Sequence, residues 1–209
     1  MIARELEIYA EQHTDAESPL LRQINRDTHA QVLSPRMLSG QIQGRLLALL
    51  SRLVRPKFIL EIGTYTGYSA LCLSEGLQPD GQLITIEANE ELEERTRSYF
   101  EKSEKKDQIR MIIGNALEVI PTLEVNFDLV FIDADKANYS AYFDLIVEKV
   151  NQGGLIIADN VLWSGKVTQD AQDKNTRAIL SFNDKVHLDP RVSNLLLPVR
   201  DGLMVMQKL

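Results

Sequence analysis

The chain has 209 residues, 44% hydrophobic and 25% charged, an ordinary balance for a globular protein with a full core. A net charge of −7 gives no general electrostatic footprint for nucleic acid, although a local patch stays open, and a single cysteine, Cys72, excludes an internal disulfide and suits a reducing compartment. No apolar run approaches membrane-spanning length and the N-terminus has no signal-peptide pattern, so the expectation is one cytoplasmic domain over residues 1–209.

Residues 1–36 read as helices outside the main sheet. Ile2, Leu6 and Tyr9 share one helical face, and Leu20, Ile24 and Val32 follow with looser spacing. Ser18-Pro19 is a helix start, with serine as N-cap and proline at the first helical position, and Ser34-Pro35 ends that segment. From Gln41, the residues Ile42, Leu46, Leu49, Leu50 and Leu53 repeat at helical spacing, which predicts a helix packed on the core and closed by Pro56.

Phe58–Ile62 reads as a buried strand, followed by the loop Gly63-Thr64-Tyr65-Thr66-Gly67 and a helix from Ser69 that carries Cys72 as a small buried thiol. Gly63 permits the tight turn off the strand, Gly67 lets backbone come close to a ligand, and the helix N-terminus offers free N–H groups to an anion. The dinucleotide fingerprint would need glycine at 65 and 68, where this chain has Tyr65 and Tyr68. The loop therefore suits a nucleoside with a smaller anion, such as the carboxylate of S-adenosylmethionine.

Pro79-Asp80-Gly81 is a turn, Leu83–Glu87 a second strand, and Glu90–Ser103 a charged helix with Leu92, Tyr99 and Phe100 inward. Ile109–Ile113 is a third strand, followed by Gly114-Asn115-Ala116, and Asp128–Ile132 a fourth, ended by Asp133. Tyr139, Tyr142, Phe143, Ile146, Val147 and Val150 fit a helix, Gly154–Ala158 a fifth strand ended by Asp159-Asn160, and residues 171–187 a last helix. Leu195–Val199 and Leu203–Gln207 flank Asp201-Gly202 as a hairpin. The sum is a doubly wound, mostly parallel seven-stranded α/β sheet with helices on both faces and a C-terminal antiparallel hairpin.

Ligands of such sheets bind beyond the carboxyl ends of the strands, so Gly63–Gly67, Glu87, Asn115-Ala116, Asp133 and Asp159-Asn160 belong to one rim. Glu87 ends its strand where a carboxylate accepts from ribose hydroxyls. Asp133, Asp159 and Asn160 are short oxygen ligands of the kind hard cations take, magnesium first, with calcium and manganese as alternatives. Lys136, three residues after Asp133, is within reach of that site, where a nearby cation favours the neutral amine a general base requires. Asp135 caps the following helix or lines the cofactor pocket, and Trp163 is a core residue or, just after Asn160, the wall of an acceptor pocket. His13, His29 and His187 are scattered and suggest no zinc cluster.

Glu61-Ile62-Gly63-Thr64-Tyr65-Thr66-Gly67-Tyr68-Ser69, Phe131-Ile132-Asp133-Ala134-Asp135-Lys136 with Asn138-Tyr139, and Asp159-Asn160-Val161-Leu162-Trp163 resemble the cation-dependent O-methyltransferases, the family of catechol and caffeoyl-coenzyme A O-methyltransferases and their small bacterial relatives. The resemblance runs from about Met37 to the C-terminal hairpin, which sets residues 37–209 as catalytic core and 1–36 as helices packed outside it. It implies a Rossmann-like, class I methyltransferase that moves a methyl from S-adenosylmethionine to a hydroxyl of a vicinal, catechol-like diol. By motif position Asp133, Asp159 and Asn160 resemble the metal ligands and Lys136 the base. Met37, Ser39, Glu61, the loop from Gly63 through Tyr65 to Gly67, Ser69, Glu87, Ala116, Asp133 and Asp135 resemble cofactor positions. The family is commonly dimeric. The segment Met37 to Gly44 departs from the family pattern, which leaves the acceptor open between a small phenol and a hydroxylated nucleoside of transfer RNA. From other classes, a nicotinamide-dependent oxidoreductase is opposed by Tyr65 and Tyr68, and a non-catalytic adenosyl-binding module by the acidic rim.

Overall fold

The computed structural model describes residues 4–170 and 173–209. Seven strands, β1 (Phe58–Ile62), β2 (Gln82–Glu87), β3 (Ile109–Ile113), β4 (Phe127–Ile132), β5 (Val150–Asp159), β6 (Val192–Leu197) and β7 (Leu203–Lys208), form one sheet in the order β3-β2-β1-β4-β5-β7-β6. β1 to β5 pair in parallel, and β7 runs antiparallel to both β5 and β6. The chain builds outward from β1 to β3, then crosses back and lays β4 on the other side of β1. That reversal leaves a crevice between the carboxyl ends of β1 and β4, where Ile62 pairs with Ile132.

Among the described residues, eight α-helices surround the sheet: α1 (Arg4–Gln12), α2 (Pro19–Gln31), α3 (Gly40–Val54), α4 (Tyr68–Ser74), α5 (Glu93–Phe100), α6 (Ala116–Val119), α7 (Tyr139–Ile146) and α8 (Lys174–Leu188). The central strands β1, β2 and β4 are mostly apolar and buried because both faces are covered. Val130 and Ile132 of β4 pack with α7 and α8 residues such as Phe143 and Phe182, while Leu129 and Phe131 face Leu47 of α3 and Leu73 of α4. Ser18 caps α2 through its hydroxyl, which accepts from the Leu21 N–H at 3.2 Å, with Pro19 at the first position as expected.

Several boundaries and faces differ from the sequence reading. α3 turns a neighbouring stripe inward: Gln43, Gly44, Leu47, Ala48 and Ser51 are buried, while Leu49 and Leu53 are 48% and 72% exposed. The cause is close helix packing, since a Cβ on Gly44 would lie 2.7 Å from the Tyr68 ring of α4. α2 likewise buries Leu21, Ile24 and Thr28 rather than Leu20 and Val32. α1 forms, yet Leu6 and Tyr9 are exposed, and Ile2 lies outside the described residues.

β5 begins at Val150, where an irregularity opposite Phe127–Leu129 takes up residues 151–154, and Gly153 at φ 79° makes the bend. The hairpin strand is β6, which ends at Leu197, so a five-residue loop 198–202 replaces the tight turn. α8 begins at Lys174, capped by Asp173, and the first two residues of the expected helix, 171 and 172, lie outside the described residues. The helix α6 after Asn115 is only four residues long, too short for a periodic signal.

Gly67 is also corrected. A Cβ there would meet the Phe100 ring of α5 at 2.6 Å and Thr96 at 3.1 Å, not the rim, and φ is +81°. Packing and backbone conformation require glycine at this position. Gly67→Val is therefore expected to cost about 2–4 kcal/mol of stability through overpacking and left-handed strain. Urea unfolding measures this, and an unchanged midpoint would dismiss the packing account.

Candidate active site

The carboxyl ends of the parallel strands open into one cleft of about 1850 Å³. Met37, Gly63, Tyr65, Glu87, Ala116, Asp133, Asp135, Lys136, Asn160 and Trp163 line it, so most residues singled out in the sequence meet at one place. Ser39 and Ser69 line a small adjoining recess shared with Met37, Gly63, Tyr65 and Asp133. Glu61 and Asp159, 0% and 2% exposed, lie behind the wall, and Gly67 touches neither space.

The loop after β1 is held against the loop after β4. The Asp133 N–H donates to Ile62 O at 2.9 Å, and a Cβ on Gly63 would sit 2.0 Å from the Asp133 carbonyl oxygen, so only glycine fits at φ +99°. Glu87 braces the same loop from β2. One carboxylate oxygen accepts the Tyr65 N–H at 2.7 Å and the other the Asn89 N–H at 2.9 Å. A carboxylate has about four lone-pair sites, so two remain for a ligand's hydroxyls.

Glu61 is enclosed beneath this loop. Thr85 donates to its Oε2 at 2.5 Å, and Oε1 is buried with no hydrogen-bond partner. Burial pushes its carboxyl up to about 8, partly offset by the Ser69 and Thr85 hydroxyls, while the charges of Asp133 and Glu87 add to the rise. An orphaned carboxyl oxygen beneath the glycine loop suits an ammonium group such as that of S-adenosylmethionine, which would satisfy it. Cys72 is wholly buried, and burial pushes its thiol up to about 12, which leaves it inert as expected.

Across the crevice, Lys136 is 8% exposed and opens the 3₁₀ turn Lys136–Asn138. Its Nζ donates to Asp133 Oδ1 at 3.0 Å and to the Tyr139 hydroxyl at 2.6 Å, and that hydroxyl donates to the Asp159 carbonyl at 3.0 Å. Lysine, tyrosine and the ends of β4 and β5 thus form one chain of contacts. Burial and the charges of Asp133 and Asp159 keep the Tyr139 phenol well above its ordinary range, so it stays protonated. Asp135 does not cap the turn with its side chain; it accepts from Asn138 Nδ2 at 2.6 Å and from the Tyr142 hydroxyl, and faces the cleft.

Asp159 ends β5. Its Oδ1 accepts the Asn160 N–H at 2.7 Å and its Oδ2 accepts Gln43 Nε2 at 2.6 Å. Burial first, then the negative charge of Asp133, raise its pKa. Asn160 adopts φ 60°, a left-handed conformation asparagine tolerates, and its carboxamide has no partner among the described residues. Among the described residues no three His, Cys, Asp or Glu side chains cluster, so a cation here would rest on two carboxylates and one amide. Two carboxylates, with the charge of Asp133 disfavouring that of Asp159, beside a free amide oxygen, suit a hard divalent ion.

The sequence reading overlooked three residues here. Tyr139 stands within a quoted motif but shows in the sequence only as part of a helical repeat, and Gln43 belongs to the neighbouring helical stripe of α3. Arg200, on the loop 198–202, lines the cleft and carried no local signal beyond the turn beside it.

The O-methyltransferase family profile matches residues 10–209, further toward the N-terminus than Met37. A mouse protein named catechol O-methyltransferase domain-containing protein 1 is 33% identical over 199 residues, spanning 92% of this chain and 76% of that protein. Caffeoyl-CoA O-methyltransferase 1 of Eucalyptus globulus is 32% identical over 185 residues, spanning 83% of this chain and 75% of its own length. The structure of the O-methyltransferase TomG from Streptomyces achromogenes in complex with S-adenosylmethionine superposes with a TM-score of 0.91 at 28% identity, covering 100% of this chain and 99% of TomG. With the family's profile over nearly its whole length and a glycine loop, acidic rim and sheet order to match, the chain belongs to the O-methyltransferase family and is an S-adenosylmethionine-dependent O-methyltransferase.

Proposed function

We propose that the enzyme methylates one hydroxyl of a vicinal diol on a small aromatic acceptor, with a divalent cation, magnesium first, held by Asp133, Asp159 and Asn160. The observation that carries this reading is the joined cluster at the ends of β4 and β5, in which Lys136 bonds both Asp133 and Tyr139 while Tyr139 bonds the Asp159 carbonyl. S-adenosylmethionine supplies an already activated methyl, and the cation, when bound, favours the ionised form of a phenol whose ordinary pKa is about 10.

The chain's own residues do the rest. Glu87 and the loop from Gly63 to Ser69 hold the cofactor, with Glu61 and the Met37–Ser39 segment at its methionine end, Ala116 beside the adenine and Asp135 lining the pocket. Lys136 takes the proton of the acceptor hydroxyl at Nζ, and Tyr139 fixes that amine in place. Trp163 forms a wall of the acceptor pocket. Fixing oxygen and methyl in attack geometry supplies much of the acceleration. The test is methyl transfer to catechol with and without added magnesium, read by mass spectrometry; no methylated product from any diphenol would overturn the acceptor class.

Glu87→Ala is expected to weaken cofactor binding at least tenfold, about 1.5 kcal/mol or more, the scale of a hydrogen bond to a charged group. It also frees the Tyr65 and Asn89 amides, so Glu87→Gln, which keeps an acceptor, should lose less. Calorimetry with S-adenosylhomocysteine reads both, and wild-type affinity in Glu87→Ala would remove the residue from the site. Leu6, Ile8 and Tyr9 of α1 and Leu49 and Leu53 of α3 are exposed apolar side chains that support a homodimer, which a monomer mass by light scattering would dismiss. Among the described residues no helix is long and apolar enough to cross a membrane, and a cytoplasmic enzyme is the location we propose.

A further inference from the structure

Gln43 and Arg200 are remote from each other in sequence, and neither belongs to a motif quoted above. Gln43 is 0% exposed on the inward face of α3, and its Nε2 donates to Asp159 Oδ2 at 2.6 Å. On its other side, Arg200 Nη1 donates to Gln43 Oε1 at 3.0 Å. A guanidinium carries donors only, so the amide must turn its oxygen to Arg200 and its NH₂ to the aspartate. The donor-only Arg200 and the acceptor-only Asp159 carboxylate together decide which way this buried amide points, a choice that shape alone leaves open.

The aspartate is fixed from two directions as a result. Asp159 is the last residue of β5, paired with Leu203 of β7, and its other oxygen accepts the Asn160 N–H at 2.7 Å. Rotation of the carboxylate about its own bond would break both hydrogen bonds. Each oxygen keeps a further lone pair for a ligand. The far end is equally firm. The loop that carries Arg200 is tied to the segment after Asn160 by Leu162 N–H to Asp201 O at 2.8 Å and Val161 N–H to Gly202 O at 3.1 Å, with Ser164 N–H donating to Asp201 Oδ1. Among the described residues no carboxylate lies within 4.0 Å of the Arg200 guanidinium, so nothing acidic competes with Gln43 for it.

We propose that Gln43 is a positioning residue that holds the Asp159 carboxylate in its cation-binding orientation, and that Arg200 locks Gln43 in the only amide orientation that can do so. The inference rests on the cation reading above. Partners of metal-ligating groups commonly change metal affinity by about 10- to 100-fold when removed.

The experiment measures binding of Mn²⁺ alone, by electron paramagnetic resonance and calorimetry, to the wild-type protein and three variants. Gln43→Leu is expected to raise the Mn²⁺ Kd by about 10- to 100-fold. Arg200→Met, which removes the donor that anchors Gln43 Oε1, is expected to raise it by a smaller factor, and Arg200→Lys, which restores a donor-only group, should recover most of that loss. S-adenosylhomocysteine affinity serves as the check that each variant is folded, since neither residue is placed at the cofactor. In turnover, the Gln43→Leu defect should appear in the metal concentration needed for half activity and be relieved by excess Mn²⁺. Wild-type Mn²⁺ affinity in folded Gln43→Leu would overturn the positioning role while leaving the cation reading intact. Equal loss in Arg200→Met and Arg200→Lys would overturn the lock. Absence of any Mn²⁺ binding by the wild-type protein would overturn the cation reading and this inference with it.

Discussion

Lys136→Met is expected to slow methyl transfer by roughly 100- to 10,000-fold, the usual cost of removing a general base, while cofactor and cation still bind. Methionine keeps most of the buried volume of Lys136 and removes only the amine that reaches Asp133 and Tyr139. The defect should shrink as pH rises toward about 10, where a phenol ionises without help. Single-turnover rates with catechol from neutral to alkaline pH measure this. Equal rates for variant and wild type at neutral pH would discard the base assignment, and a defect of constant size across the pH range would point to a positioning role instead.

Chelation is expected to stop turnover and magnesium to restore it, with Asp159→Ala behaving as though chelator were always present. The alanine variant does two things at once. It removes a carboxylate proposed to hold the cation, and it strands the Gln43 and Asn160 donors, each at about 1–3 kcal/mol for a buried unsatisfied group. Asp159→Asn separates the effects, because an amide oxygen still accepts one of those hydrogen bonds while the charge is gone. It should fold closer to wild type and still need far more magnesium. Full activity in excess chelator would discard the metal site and the mechanism proposed around it.

The amino-acid sequence by itself determined the order of strands and helices and the location of the rim. Apolar runs such as Phe58–Ile62, Leu83–Glu87 and Asp128–Ile132 are bounded by glycine, proline or acid, and a buried parallel strand leaves just that trace. Once those runs alternate with helices, strand geometry places Gly63, Glu87, Asp133 and Asp159 at one edge without further information. Tertiary structure decided what lies one shell deeper. In α3 the residues from Leu46 to Leu50 form an unbroken apolar run, so two neighbouring stripes are both suited to burial, and the contact of Gly44 with Tyr68 selects the one that turns Gln43 inward. The direction of Gly67 is set by where α5 packs, which no local pattern encodes. Asp159, Gln43 and Arg200 meet only because β7 inserts between β5 and β6 and its loop reaches back to α3. Periodicity records which side of an element is buried, but a hydrogen bond between residues 43, 159 and 200 depends on the packing of three elements at once, and that is fixed only when the chain is folded.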